Sequence, residues 1–392
     1  MSMVVAKMDW RQLYSFASKQ AILGFCFDGI ERLGKEYPLF LKENPIGQDL
    51  LMTWMGKAQQ IHRRNMKVNE VAAKLYRQLR EDGLRCCVLK GQGNALMYSN
   101  PYSRTPGDID VWVNASRAEI MDYGRSHFKL GDDIRYQHME TVVDGVPVEL
   151  HFIPCIMNNP IYNHRLQKWF KRDVDLQCSN VVSLPGDAGE IAVPTMAFNV
   201  IYQLCHLYHH FFDEGVGFRQ IIDYYFVIES LPQITQTNTD EIHTPSKLRL
   251  SSADNNQSAE YKRNINGQNF VALQRELKCL GLWKFAGAVM YVLHEVLGLP
   301  EEKMICPMDV KRGKLLLSEI MDGGNFGKHF SKYGHFTQQG MAKKYFLKIW
   351  RNMHFVRYYP AEALSEPIFR TWHFFWRNSV RRPKGKPMKN KK

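Results

Sequence analysis

The chain of 392 residues is 45% hydrophobic, 12% aromatic and 23% charged, ordinary values for a soluble globular protein that can bury a substantial core, with two domains expected. Its formal charge of +13 is unevenly placed, since residues 381–392 carry seven basic side chains and no acid; residues 379–392 are expected as a disordered basic tail, a solubilising end or a contact for nucleic acid or an anionic membrane surface. Eight cysteines without a Cys-x-x-Cys pair exclude a disulfide framework or zinc knuckle, and with a start too polar for a signal peptide they point to the cytoplasm; no apolar run is long enough to span a bilayer.

Apolar residues at helical spacing predict a helix over 9–33, carrying Leu13, Phe16, Ile22 and Ile30, and a long one over 47–81 that ends at Asp82-Gly83. Residues 1–83 therefore read as an N-terminal helical region. A strand-rich region over 84–193 follows. It opens with a short buried strand at 85–89, a glycine turn at Lys90-Gly91-Gln92-Gly93 and a short helix from Asn94. A second strand covers 108–113. Ser116 with Glu119 is a capping-box pattern for a helix over 116–128. Asp144-Gly145 between two alternating runs, 136–143 and 146–152, predicts a tight hairpin. A helix at 161–174 and a second hairpin over 181–193 complete the region.

Beyond Pro194 the pattern is helical to residue 378, with strongly apolar helices at 196–212 and 218–231, further helices at 268–280 and 282–297, and shorter ones towards 380. The segment 232–267, rich in Ser, Thr, Asn and Gln, is expected as a mobile polar insertion. The aromatic run 369–376 is expected in the core of the C-terminal helices rather than as a base-stacking platform.

The chemistry concentrates at Gly107-Asp-Ile-Asp-Val-Trp-Val113. On a strand, Asp108 and Asp110 share one face while Ile109, Val111 and Val113 take the other, and the two acids stand about 7 Å apart at Cα. Glu149 lies on the polar face of the hairpin's second arm, with Pro147 and His151. If that arm lies beside the Asp108 strand, three carboxylates converge and call for a divalent cation, because close like charges resist ionisation together. Carboxylates suit Mg2+, with Mn2+ as the alternative, and two such ions can activate a hydroxyl and stabilise a leaving pyrophosphate. Lys90, Gly91, Gln92 and Gly93 form a strand-to-helix turn suited to a nucleotide phosphate, and Arg104 stands close enough in sequence to bear on the same anion. Lys90 and Arg104 could instead serve only as ion-pair partners of the acids.

In this order the residues resemble a known family. Val88-Leu-Lys-Gly91, Arg104, Gly107 to Val113 and Val148-Glu-Leu-His151 are similar to the bacterial nucleotidyltransferases still described as uncharacterised, within the polymerase-beta-like nucleotidyltransferase superfamily. The resemblance extends through Leu204-Cys-His-Leu207 and Gly217-Phe-Arg-Gln-Ile-Ile-Asp223. It implies an α+β fold, a small mixed sheet with flanking helices and a helical domain behind it. It also implies magnesium-dependent transfer of a nucleoside monophosphate from an NTP, ATP by default, with Asp108 and Asp110 as metal ligands and Glu149 as ligand or base. The superfamily's usual Gly-Ser is here Gly91-Gln92.

His206, Arg219 and Asp223 are candidates for an acceptor pocket, although Arg219 and Asp223, spaced i, i+4, would most simply form a helix-surface ion pair. His206, His209 and His210 share a helical face, where core or pocket roles are commoner than zinc. The acceptor is left open between a protein, a small molecule, a sugar and an RNA end. Two other readings use the same residues: a nucleotide- or nucleic-acid-binding module without catalysis, and a phosphotransferase that releases a nucleoside diphosphate.

Overall fold

The computed structural model describes residues 8–231, 267–330 and 341–381. The segment expected as an insertion lies, apart from Gly267, outside the described residues, as do residues 382–392 of the basic tail. The architecture is α+β. A helical entry comprises α1 (Trp10–Lys19), α2 (Leu23–Glu36), α3 (Pro38–Glu43) and α4 (Gln48–Glu81). The single helix expected over 9–33 is broken at Ala21, where φ is +56°. The break is held from outside. Gln20 donates its side-chain amide to the Ile320 carbonyl and accepts from the Phe218 backbone N–H, both at 2.9 Å. Tertiary contact here overrides a periodic pattern.

The sheet contains β1 (Cys86–Val88), β2 (Ile109–Val113), β3 (Leu130–Ile134), β4 (His138–Val143) and β5 (Val146–His151), in the order β1-β2-β5-β4-β3. Between β1 and β2 lies the one-turn helix α5 (Gln92–Ala95), and between β2 and β3 lies α6 (Arg117–His127), capped by Ser116 and Glu119 as the sequence predicts. Asp144 and Gly145 have φ of +49° and +81°, the conformation a two-residue hairpin turn requires, and they set Val143 opposite Val146. β3, an edge strand, has no counterpart in the sequence reading.

Further helices are α7 (Pro160–Arg172), α8 (Val174–Ser179), α9 (Met196–Asp213) and α10 (Phe218–Glu229), with the hairpin β6 (Val181–Leu184) and β7 (Gly189–Ala192) between α8 and α9. Then come α11 (Gly267–Cys279), α12 (Trp283–Leu297), α13 (Val310–Gly323), α14 (Met341–Met353) and α15 (Pro360–Arg381). The last is 22 residues long, so the C-terminal helices are not all short, and its final turn takes in residues expected to begin the disordered tail.

Alternation along β2 and β5 gives the sheet two different faces. Ile109, Val111, Val113, Val148 and Leu150 pack with Val68, Val71, Leu75 and Leu79 of α4 in one buried cluster. Trp112 turns the other way and stacks on Phe198 of α9, in a larger cluster that spans the helical part. Helix α4 feeds both, because Trp54 in its first half belongs to the helical cluster. Asp108 and Asp110 share the parity of Trp112, so the polar face of the sheet looks towards α9. The aromatic run of α15 is not wholly core. Trp372, Phe374 and Phe375 are exposed, while Phe369, Trp372 and Trp376 meet the ring of Tyr136. Eight consecutive residues pass more than twice around a helix, so one buried stripe cannot hold them all.

Candidate active site

β2 and β5 run parallel with Asp110 opposite Glu149. This register brings one oxygen each from Asp108, Asp110 and Glu149 within 4.8 Å of one another, the convergence that the sequence required of the hairpin. Asp110 is 1% exposed, and its Oδ2 is buried without a hydrogen-bond partner. Its Oδ1 lies 3.2 Å from Lys90 Nζ and 3.1 Å from His151 Nε2. Burial alone would raise the Asp110 carboxyl; Lys90 and His151 outweigh it and hold the group well below the usual carboxylate range.

Glu149 goes the other way. Burial pushes it up to about 7, against a hydrogen bond from His151 that pulls it down. His151 is opposed by burial but raised to about 9 by hydrogen bonds to Asp110 and Glu149. His138, on the neighbouring strand, is pushed well below its ordinary value by burial and by His151. The cluster thus has one firmly ionised acid, one acid whose ionisation is resisted, and an orphaned buried oxygen. An oxygen-rich set of this kind fits a hard divalent cation held by Asp108, Asp110 and Glu149.

The glycine turn divides. Gly91, at φ +71°, and Lys90 line the cleft beside the acids, with Gly107, Arg104 and Arg219. Gln92 and Gly93 do not line it. Gln92 is buried and hydrogen-bonded to Asn69, and a side chain on Gly93 would strike Val193 at 2.8 Å. The following helix is a single turn, so it offers little dipole to a phosphate. The cleft's positive charge comes from side chains.

Arg104 is 4% exposed and bound bidentately to Asp223, Nε to Oδ1 at 2.7 Å and Nη2 to Oδ2 at 2.8 Å, leaving Nη1 without a partner. Asp223 also accepts from the Tyr98 hydroxyl at 2.7 Å. The surface ion pair expected between Arg219 and Asp223 is therefore replaced by a buried pair with Arg104. Arg219, kept below its ordinary value by burial, donates to the Thr105 carbonyl at 3.3 Å and lies over the Phe326 ring. Gly107 makes room for it, since a Cβ there would sit 3.3 Å from Nη1.

His206 lines the same cleft and is stacked on Tyr202, with its Nε2 3.0 Å from that of His210. Among the described residues the metal-competent groups are Asp108–Asp110–Glu149 and His138–Glu149–His151; the α9 histidines form none. His138 was missed from the sequence. The signal was the hairpin turn, which fixes His138 opposite His151 once Val143 is set opposite Val146.

A small sheet carrying paired carboxylates in a cleft they share with Lys90, Arg104 and Arg219, with helices on both faces, is the setting of a nucleotidyltransferase. The chain belongs to the family described as uncharacterised nucleotidyltransferase, which matches residues 6–251. No curated protein matches it. A solved structure of an antigenic nucleotidyltransferase-like protein from Paracoccidioides brasiliensis is similar at 17% identity over 55% of this chain and 92% of that one, with a TM-score of 0.29, too slight to carry an argument. No helix among the described residues is long and apolar enough to cross a membrane.

Proposed function

We propose that the chain transfers a nucleoside monophosphate from an NTP, ATP by default, to an acceptor hydroxyl, with magnesium and release of pyrophosphate. The register of Asp110 against Glu149, which gathers three carboxylates around an unpartnered buried oxygen, carries this reading. Asp108, Asp110 and Glu149 would hold the metal, which supplies charge neutralisation at the phosphoryl group when bound. Lys90 and Arg219 face the same cleft and would hold phosphate oxygens, with Arg104 lending its free Nη1. Asp223 is a positioning residue for Arg104.

With the cleft beside Lys90 and Arg219 given to the nucleotide's phosphates, the acceptor is proposed to enter elsewhere. A second cleft is lined by Tyr136, Gln137, Asn158, His209, Glu366 and Phe369, and Gln137 is next in sequence to His138, whose ring reaches Glu149. Its deeply buried Gln137 Oε1 and Glu366 Oε2 lack partners and would accept from a hydroxyl- or amine-bearing molecule.

Purified protein incubated with each labelled NTP, magnesium and a cell extract should label one acceptor and release pyrophosphate. Asp110→Ala should abolish the labelling while the protein stays folded. Full activity in that variant would sink the reading, and a nucleoside diphosphate as by-product would assign a phosphotransferase instead.

A further inference from the structure

The second metal-competent group has a different chemistry from the first. His138 Nδ1 and His151 Nε2 each lie 3.1 Å from the same atom, Glu149 Oε2. His151 can donate from Nδ1 to the Ile153 carbonyl, 3.2 Å away, which turns Nε2 with its lone pair towards Glu149 Oε2 and Asp110 Oδ1. In that tautomer a lone pair faces two carboxylate oxygens, an arrangement that a positive centre between them, a proton or a metal ion, relieves. A proton would satisfy His151 alone. It would not account for His138, which is 2% exposed and has no hydrogen-bond partner at either ring nitrogen, although Nδ1 is within reach of Glu149.

Two donors held at about 2.0–2.2 Å on one ion stand roughly 3.0–3.4 Å apart, which is the spacing of both nitrogen–oxygen pairs, and the three donor atoms lie within 4.8 Å of one another. His151 also has an acceptor on its far side, the Ile153 carbonyl. Metal-bound histidines are commonly oriented by such groups.

We infer that His138, His151 and Glu149 form a second metal seat, sharing Glu149 with the carboxylate cluster and selecting a borderline transition ion such as Zn2+ or Co2+ over Mg2+. Two imidazoles and one carboxylate favour such ions, whereas magnesium prefers oxygen alone. Three protein ligands leave coordination positions for water or a substrate oxygen.

The seat stands on its own geometry and does not depend on which reaction the protein performs. The test uses the full chain, stripped with a chelator and titrated with zinc in millimolar magnesium. One zinc ion per chain should be retained against magnesium. X-ray absorption should show two imidazoles in its shell, and His138→Ala should weaken zinc binding at least about tenfold. Displacement of zinc by magnesium, an oxygen-only or sulfur-containing shell, or undiminished affinity in a folded His138→Ala would overturn the seat. Should that variant not fold, the absorption spectrum of the wild-type protein decides. Asp108→Ala separates the two proposals, because it removes a ligand of the carboxylate cluster and none of the seat. Zinc held through two imidazoles by a protein that transfers no nucleotide would leave the seat standing and sink only the reaction.

Discussion

Two buried charge clusters flank one cleft, and they are built to opposite rules. Arg104 and Asp223 meet fork to fork, 4% and 7% exposed in their side chains, with Tyr98 as a third partner. Asp108, Asp110 and Glu149 face Lys90 and two histidines, and leave Asp110 Oδ2 with no partner. The acid of this pair is fully partnered within the protein, both its oxygens being taken, and the atom left over is Arg104 Nη1. The carboxylate cluster leaves one buried oxygen without a partner, which is where the proposed cation would bind. On the proposed reading, burial alone does not mark a working acid; an unmet valence does.

The largest effects should separate the two clusters cleanly. Asp108→Ala should lower transfer about 10³-fold or more, the loss of several kcal/mol of metal-held charge stabilisation, while urea melts shift by less than about 1 kcal/mol. Asp223→Ala should do the reverse in its primary effect, costing about 3–5 kcal/mol of stability because it strands a buried guanidinium. Equal destabilisation by both variants would break the distinction.

Lys90 lies between the rules, since it lines the cleft and also pairs with Asp110 at 3.2 Å. If it holds phosphate, Lys90→Gln should lower kcat/KM for the NTP about 10²-fold. If it serves only as counter-charge to Asp110, magnesium should substitute for it and the NTP dependence should stay unchanged. Steady-state kinetics over a range of magnesium concentrations checks this.

How much of this could be read from the chain depended on distance along it. The faces of Asp108, Asp110 and Glu149 were legible because strand parity is a local rule; that β5 lies beside β2, which brings them together, is a non-local pairing that the sequence left conditional. A local rule also reaches His138, which needed only the register counted back from the Asp144-Gly145 turn. Arg104 with Asp223 was not legible: 119 residues separate them, and the i, i+4 spacing of Arg219 and Asp223 offered a nearer partner that the fold declines. The break at Ala21 was hidden for the same reason, being held by Phe218 and Ile320. The glycine turn misled in part because spacing alone cannot separate a glycine needed for φ, such as Gly91, from one needed for packing, such as Gly93.

The smallest effect tests the principle underneath the comparison at a third buried acid. Glu362 is 2% exposed and accepts from the backbone N–H groups of Asn158 and Asn159. No basic side chain among the described residues pairs with it, and burial pushes it up to about 7 from an ordinary 4.5. The folded protein therefore holds a proton there that the unfolded chain has already released. Between about pH 4.5 and 7 the folded state binds more protons, so this group's contribution to stability is fully present at low pH and is lost as pH rises through 7. The change is at most about 3 kcal/mol. Glu362→Gln loses part of the backbone capping but cannot ionise, so it should be less stable than the wild type at pH 5 and should close or reverse that gap by pH 8. Urea melts of the two proteins across that range give the difference directly. A gap that stays constant would mean that the two backbone N–H groups suffice for a buried carboxylate, and an unmet valence at Asp110 would then be weaker grounds for a bound cation.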